Sequence, residues 1–149
     1  MARIKINLPE KFVFSTEIEV RITDMNYGRH LGNDALLGLL HEARVRFLKS
    51  FGQTELNFYG ASLIMADAGI VYKAEVFYGD NLVIDMTACD VTSHGFDLIY
   101  CVRKKNGEIA AVAKTAIVTF DYETRKIVIL PDSFLQQLKT MGIEVAGRI

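Results

Sequence analysis

An α+β domain, with a curved antiparallel β-sheet wrapped around one long central α-helix, is what this sequence predicts. Three observations carry that expectation. From Glu17 to Thr23 the residues alternate, with Ile18, Val20 and Ile22 facing one way and Glu17, Glu19, Arg21 and Thr23 the other. From Asp34 to about Ser50 the period becomes helical: Leu36, Leu40, Ala43 and Phe47 share one stripe, which Leu37, Leu39, Leu48 and Phe51 widen. After Tyr59-Gly60 the chain reads as successive strands joined by turn signals.

The elements follow in order. Glu17 to Thr23 is a half-buried strand. Asn33 is the expected N-cap of the helix, and Asp34 suits the positive end of its dipole. Arg44, Arg46 and Lys49 lie toward the other end, and Gly52 stops it. Gly38 inside the helix costs about 1 kcal/mol against Ala, which a close approach by the sheet would justify. Leu63 to Val76 is a long strand, with Ile70, Tyr72, Ala74 and Val76 alternating against Val71, Lys73 and Glu75. Tyr78 to Asn81 turns the chain into a strand whose inner face is Leu82, Ile84, Met86 and Ala88. Thr92 to Gly95 turns it back, and Phe96, Leu98, Tyr100 and Val102 face inward on the return. That arrangement places Cys89 and Cys101 near each other on the opposite face, as half-buried thiols. Asn106-Gly107 signals a type I′ hairpin. Ile109 to Phe120 is apolar on both faces, as a central strand would be; Asp121 to Lys126 turns, and Ile127 to Leu130 is a short last strand. Pro131-Asp132-Ser133 opens a small helix that ends near Gly142. The second face of the central strand, Ile109, Ala111, Ala113 and Ile117, is apolar too, which is more than one helix can cover. A homo-oligomer with sheet-mediated contacts is expected.

Composition narrows the function. The 149 residues fit one domain, 1–149, and half of them are hydrophobic. The formal net charge is −1 and no run of one sign stands out, which argues against nucleic-acid and membrane-surface partners. The N-terminal "MARIKINLPEKF" lacks a signal-peptide core, and no stretch approaches the ~18 apolar residues of a membrane span. Two cysteines make neither a disulfide framework nor a zinc site, so a cytosolic protein is expected. No Gly-rich phosphate loop or Ser nucleophile elbow appears, and the three histidines share no metal-ligand spacing. His41 on the helix and His94 in a turn read as solvated or satisfied by neighbours. Arg103-Lys104-Lys105 reads as a solvated hairpin tip, with contact to substrate phosphates as the sharper alternative; Lys73 is a similar candidate.

The stretch "ITDMNYGRHLGND", Ile22 to Asp34, is different. It gathers a carboxylate (Asp24), a carboxamide (Asn26), a phenol (Tyr27) and an imidazole (His30) within seven residues. It leads into a helix whose first N–H groups have no partner within the helix. Such a helix end stabilises negative charge on an oxygen, and a carbonyl held there would have acid and base groups beside it.

At this point the sequence resembles the hotdog-fold acyl-CoA thioesterases of the 4-hydroxybenzoyl-CoA thioesterase type. Their first strand runs into a D-x-D-x-x-G-H-x-N-N loop and then a long helix often containing "EAR". Here the loop runs from Asp24 through Asn26, Gly28 and His30 to Asn33, and the helix carries Glu42-Ala43-Arg44. "YKAEVFYGDNLVI", Tyr72 to Ile84, is similar to the family's second-strand segment and its Gly-Asp turn. The resemblance spans about residues 13 to 130. It implies a sheet wrapped on a central helix, dimers or tetramers with the site at the subunit interface, and no metal or cofactor. The substrate it implies is an acyl-CoA or acyl-carrier thioester.

Carried over by position, the family's first acid matches Asp24, its loop histidine His30 and its final Asn Asn33. The usual catalytic carboxylate is the motif's second acid, and that position is Asn26. A carboxamide serves neither as nucleophile nor as general base. Asp24 is favoured to take the acid's role, two residues upstream on the same strand face if the strand persists. Alternatively Glu42 or Asp67 reaches the site from a partner subunit, and Asn26 orients water or the carbonyl. Tyr27, Asn33, Glu42, Asp67 and Lys73 complete the expected substrate contacts. Hydrolysis then needs a polarised carbonyl and either activated water or carboxylate attack through a mixed anhydride. Two alternatives stand beside it. A hydratase on the same fold carries D-x-N-P-x-H, echoed by Asp24, Asn26 and His30 with one extra residue before the His and no proline. A non-catalytic acyl-thioester-binding protein would explain Asn at the acid's position.

Overall fold

The computed structural model describes residues 3–145. The elements are β1 (Phe14–Glu19), a one-turn 3-10 helix (Ile22–Asp24), α1 (Asn33–Lys49), β2 (Ser62–Tyr72), β3 (Asn81–Cys89), β4 (Gly95–Lys104), β5 (Ile109–Asp121), β6 (Lys126–Ile127) and α2 (Asp132–Thr140). Neighbouring strands pair antiparallel in the order β1-β3-β4-β5-β2, and β6 extends β5. The chain therefore leaves the sheet at one edge, runs through α1, and re-enters at the other edge.

The inner rows of β3 and β4 were legible from alternation: Leu82, Ile84 and Met86, and Leu98, Tyr100 and Val102, join Leu36, Leu39, Leu40, Ala43 and Phe47 of α1 in one buried core. Ala111, Ala113 and Ile117 of β5, expected on the second face, also join it. Each large aliphatic side chain buried there contributes about 1.5–3 kcal/mol. On β5 the odd positions face α1. Val112 faces outward and is buried as well, whereas Ala110, at a bulge opposite Val102 and Arg103, joins the inner core. The chain's own N-terminal segment is anchored at both edges of the outer face. Ile4 Cδ1 lies 3.1 Å from where a Cβ on Gly69 of β2 would sit, while the Val13 N–H bonds the Met86 carbonyl near the opposite edge. The four strand spacings between those edges amount to about 19 Å, well within the reach of nine residues. On the face between these anchors Thr87, Ile99, Cys101 and Val112 are buried.

Several boundaries differ from expectation, each for a local reason. β1 stops at Glu19, and Ile22 is 68% exposed rather than inward-facing. The Asp24 carboxylate folds back to accept the Arg21 backbone N–H at 2.8 Å, which closes the 3-10 turn and ends the strand. The N-cap of α1 is Gly32, with Asn33 as the first helical residue. No atom lies within 4 Å of the space beside Gly38, so the sheet does not approach it closely. β2 ends at Tyr72 because the N–H groups of Lys73 and Ala74 converge on one acceptor, the Ala110 carbonyl, at 2.8 and 3.1 Å. At the β4–β5 hairpin only Gly107 has positive φ, and its N–H bonds the Lys104 carbonyl. This is a type I turn followed by a glycine bulge, not type I′. Cys89 and Cys101 share the outer face, but Cys89 pairs with Asp97 and Cys101 with Asp85. That offset separates them by about 13 Å. Both are free thiols, and burial with Asp90 alongside pushes the Cys89 thiol up to about 11.

Gly95 opens β4 where the strands crowd. A Cβ there would sit 2.2 Å from the Ile117 carbonyl oxygen. Gly95→Ala must therefore displace backbone, and is expected to lose about 1–3 kcal/mol of stability. A urea unfolding midpoint compared with wild type measures it.

Candidate active site

The loop between β1 and α1 is built by its own polar side chains. Asp24 is buried and accepts three bonds from Arg21, one from the backbone N–H and two from the guanidinium. The hydrogen bond and charge of Asp24 hold the Arg21 guanidinium above its ordinary range. The Asp24 carbonyl also accepts the Gly32 N–H at 2.9 Å, which aims the start of α1. Asn26 shapes the tip. Its Oδ1 accepts the N–H groups of Gly28 at 2.9 Å and His30 at 3.2 Å, and its own N–H bonds the His30 carbonyl at 2.8 Å. Arg29 takes φ +63° in this tight turn, and Tyr27 projects fully into solvent.

The loop delivers His30 to the mouth of a cavity of about 310 Å³. Its walls include Asn33 and Leu36 of α1, Tyr72, Lys73 and Glu75, over a floor of Val102, Ala110 and Ala111. His30 Nε2 stands 3.3 Å from Glu75 Oε1, and its ring packs 5.4 Å from that of Phe77. The Tyr72 hydroxyl donates to the Asn33 carbonyl at 3.2 Å. Burial, and secondarily Asp34, push its phenol up, so it stays a neutral donor. The N–H groups of Asn33, Asp34 and Ala35 precede the first intrahelical bond, from Leu36 N to the Gly32 carbonyl, and form the positive end of α1. Carbonyl oxygen, imidazole, carboxylate and ammonium can thus meet in one place.

The expected residues divide accordingly. His30, Asn33 and Lys73 line the cavity; Asp24, Asn26 and Tyr27 do not. Glu42 sits on the β1 side of α1, paired with Arg46 at 3.1 Å, and Arg46 continues to Thr16 and the Glu17 carbonyl. Asp67 lies on the outer face at a bulge in β2, where Lys114 and the Ala116 N–H hold its carboxyl below the usual range. The hairpin-tip cations are occupied: Arg103 by Asp85, Lys104 by Asp80 and Lys105 by Glu17.

Two groups escaped the sequence reading. Glu75 is the cavity's carboxylate, and nothing in its strand-like context marks it. The second is a network through the core. Arg44, with its side chain 8% exposed, donates to Glu55 at 3.1 Å and to the Tyr100 hydroxyl at 3.2 Å. Tyr100 in turn meets Thr115 at 2.8 Å, and His41 meets Glu55 at 2.5 Å. A second cavity of about 260 Å³ lies beside it along α1, lined by Leu37, Leu40, Met65 and Thr115 among others.

Asn26→Ala removes the acceptor of two loop N–H groups. It is expected to cost about 1 kcal/mol and to lower kcat by misplacing His30, whereas Asn26→Asp keeps the acceptor and the activity. Steady-state rates of the two variants against wild type separate these outcomes.

An antiparallel sheet wrapped on one long helix, with its cavity at the helix N-terminus, defines the hotdog class. The chain belongs to the thioesterase-like superfamily, whose family model matches residues 20–138. Solved structures with the same fold include a 1,4-dihydroxy-2-naphthoyl-CoA thioesterase from Synechocystis, 22% identical, covering 88% of this chain and 98% of that one at a TM-score of 0.79. A thioesterase-superfamily protein from Jannaschia is 18% identical over 93% of this chain and 89% of that one, at a TM-score of 0.80. A Staphylococcus aureus protein solved in complex with CoA is 15% identical, covers 97% of this chain and 94% of that one, and has a TM-score of 0.78. Among curated proteins none matches the chain. Among the described residues, no helix is long and apolar enough to cross a membrane, and no group of three or more His, Cys, Asp or Glu is placed to hold a metal ion.

Proposed function

We propose that this protein hydrolyses acyl-CoA or acyl-carrier thioesters to the free acid and thiol, in the cytoplasm. The observation that carries this reading is the cavity at the start of α1, which the His30 imidazole and Asn33, the first residue of the helix, both line. The thioester carbonyl sits against the first N–H groups of α1, which stabilise the developing oxyanion. His30 takes a proton from water, and the resulting hydroxide attacks. The acyl group extends along α1 over Ala111 toward the second cavity at Met65 and Thr115. Lys73, at the rim, meets the phosphates of the CoA or carrier arm. Asp24 and Asn26 position the loop. Water, imidazole and backbone N–H groups suffice, so the reaction calls for no cofactor.

The assembly is a homodimer or homotetramer formed through β2. That edge strand is eleven residues long, and beyond Leu63, whose N–H bonds the Glu55 carbonyl, no further strand pairs with its outer edge among the described residues. Leu37, Met65 and Tyr72 stand exposed beside it. A second copy in strand-to-strand register would satisfy the edge and bury these side chains.

A panel of short, long and aromatic acyl-CoAs, assayed for free thiol, tests the reaction. Thiol release from at least one member is expected. Loss of the enoyl absorbance of crotonyl-CoA without free thiol would replace hydrolysis with hydration. Stabilisation by ligand without turnover of any member would leave a binding protein.

A further inference from the structure

Asn26 occupies the position where the family's loop carries its acid, and neither acid at the ends of the loop, Asp24 or Asp34, lines the cavity. Asp24 is buried against Arg21, and Asp34, though near Tyr72, does not line the cavity. We propose that Glu75 supplies the site's carboxylate, acting through His30. This rests on the thioesterase reading above.

Three observations converge on Glu75. It is the carboxylate among the residues that line the cavity. Its Oε1 stands 3.3 Å from His30 Nε2. Its backbone is fixed on both sides: the Glu75 carbonyl accepts Lys104 Nζ at 2.9 Å, and the next residue, Val76, accepts the Leu31 N–H at 2.9 Å. The second of these bonds ties the Glu75 segment directly to the loop that carries His30. In this ion pair the carboxylate faces Nε2, which leaves Nδ1, on the Gly28 side of the ring, as the nitrogen to act as base.

The step balances as follows. Nδ1 takes one proton from water as the hydroxide oxygen bonds the thioester carbon. The oxyanion then collapses, the C–S bond breaks, and the leaving thiolate takes the proton from Nδ1. The acid and the thiol are released and His30 is neutral again. Glu75 steadies the imidazolium in between, as a positioning residue and not as the nucleophile.

Other charges lie nearby: Lys73 lines the same cavity, and Lys104 lies over the Phe77 ring at 5.3 Å with Asp80 as its partner. Lys104 is matched by Asp80, which leaves Glu75 as the anion in contact with the ring.

The test is the separate measurement of kcat and KM for wild type, Glu75→Gln and Glu75→Asp on one acyl-CoA that wild type hydrolyses, with a melting curve for each. Glu75 is exposed, so folding and Tm should be unchanged in both variants. Glu75→Gln is expected to lower kcat roughly 10- to 100-fold with little change in KM. Glu75→Asp, which keeps the carboxylate, should recover part of that loss. A kcat that matches wild type in Glu75→Gln would overturn the proposal and leave thioester hydrolysis standing. A wild-type protein that hydrolyses no thioester would instead remove the reading beneath it.

Discussion

His30→Gln is expected to lower kcat about 10²–10⁴-fold, the range in which a positioned general base contributes. The substitution leaves the cavity wall in place, because the loop is held by Asn26, Asp24 and backbone bonds and not by the imidazole. KM should therefore move little, and the Tm should stay close to wild type. Thiol-release kinetics on the best substrate, with a melting curve run in parallel, check both halves. A His30→Gln protein with wild-type kcat would remove the imidazole from the mechanism. Fold-level similarity to thioesterases would not restore it, since a fold hosts many chemistries.

The largest effect on stability is expected at Arg44. Its guanidinium is charged inside the core. Burial acts to lower its pKa, but Tyr100 and Glu55 outweigh that and hold it above its ordinary range. Burial pushes the Tyr100 phenol up, against the pull of Arg44 and Thr115, so the hydroxyl stays protonated and the network keeps its hydrogen bonds. Arg44→Met preserves volume but leaves Glu55 and the Tyr100 hydroxyl short of a partner. Breaking a buried pair from one side costs about 3–5 kcal/mol, here toward the lower end because Glu55 is partly exposed. For a domain of this size the Tm should fall on the order of 10 °C. Calorimetry measures it, and an unchanged Tm would show that the network contributes specificity without stability. A double-mutant cycle with Tyr100→Phe would then apportion the coupling.

These two residues mark where the sequence was informative and where it was not. His30 was legible because loop composition and motif spacing both operate over a few neighbouring residues. The helix and the inner rows of β3 and β4 were legible for the same reason, since periods of 3.6 and 2 are local properties. Arg44 gave no such signal, because its partner Tyr100 is 56 positions away and only packing joins them. Glu75 was hidden by a boundary. With β2 running on to Val76, Glu75 falls on an outward strand face. The strand instead ends at Tyr72, where two N–H groups share the Ala110 carbonyl, and the freed segment swings Glu75 to His30. No periodicity encodes that choice. Asp24 is the opposite case: the Arg21-x-x-Asp24 spacing was visible, and it is the signature of a carboxylate folding back on its own turn. The second face of β5 is a correction: Ala111, Ala113 and Ile117, expected there, face α1, because alternation in a strand apolar on both sides does not say which row meets the helix. The anchors of the N-terminal segment at both edges of the outer face involve residues far apart in the chain and leave no local signal.

The central claim is that water activated at the loop cavity attacks the thioester carbon directly. Single-turnover hydrolysis in heavy-oxygen water tests it. With enzyme in excess, the released acid is expected to carry one heavy oxygen and the protein none. Heavy oxygen in a carboxylate of the protein, with an unlabelled acid in the first turnover, would show attack through a mixed anhydride. That result would contradict the assignment of His30 as the base.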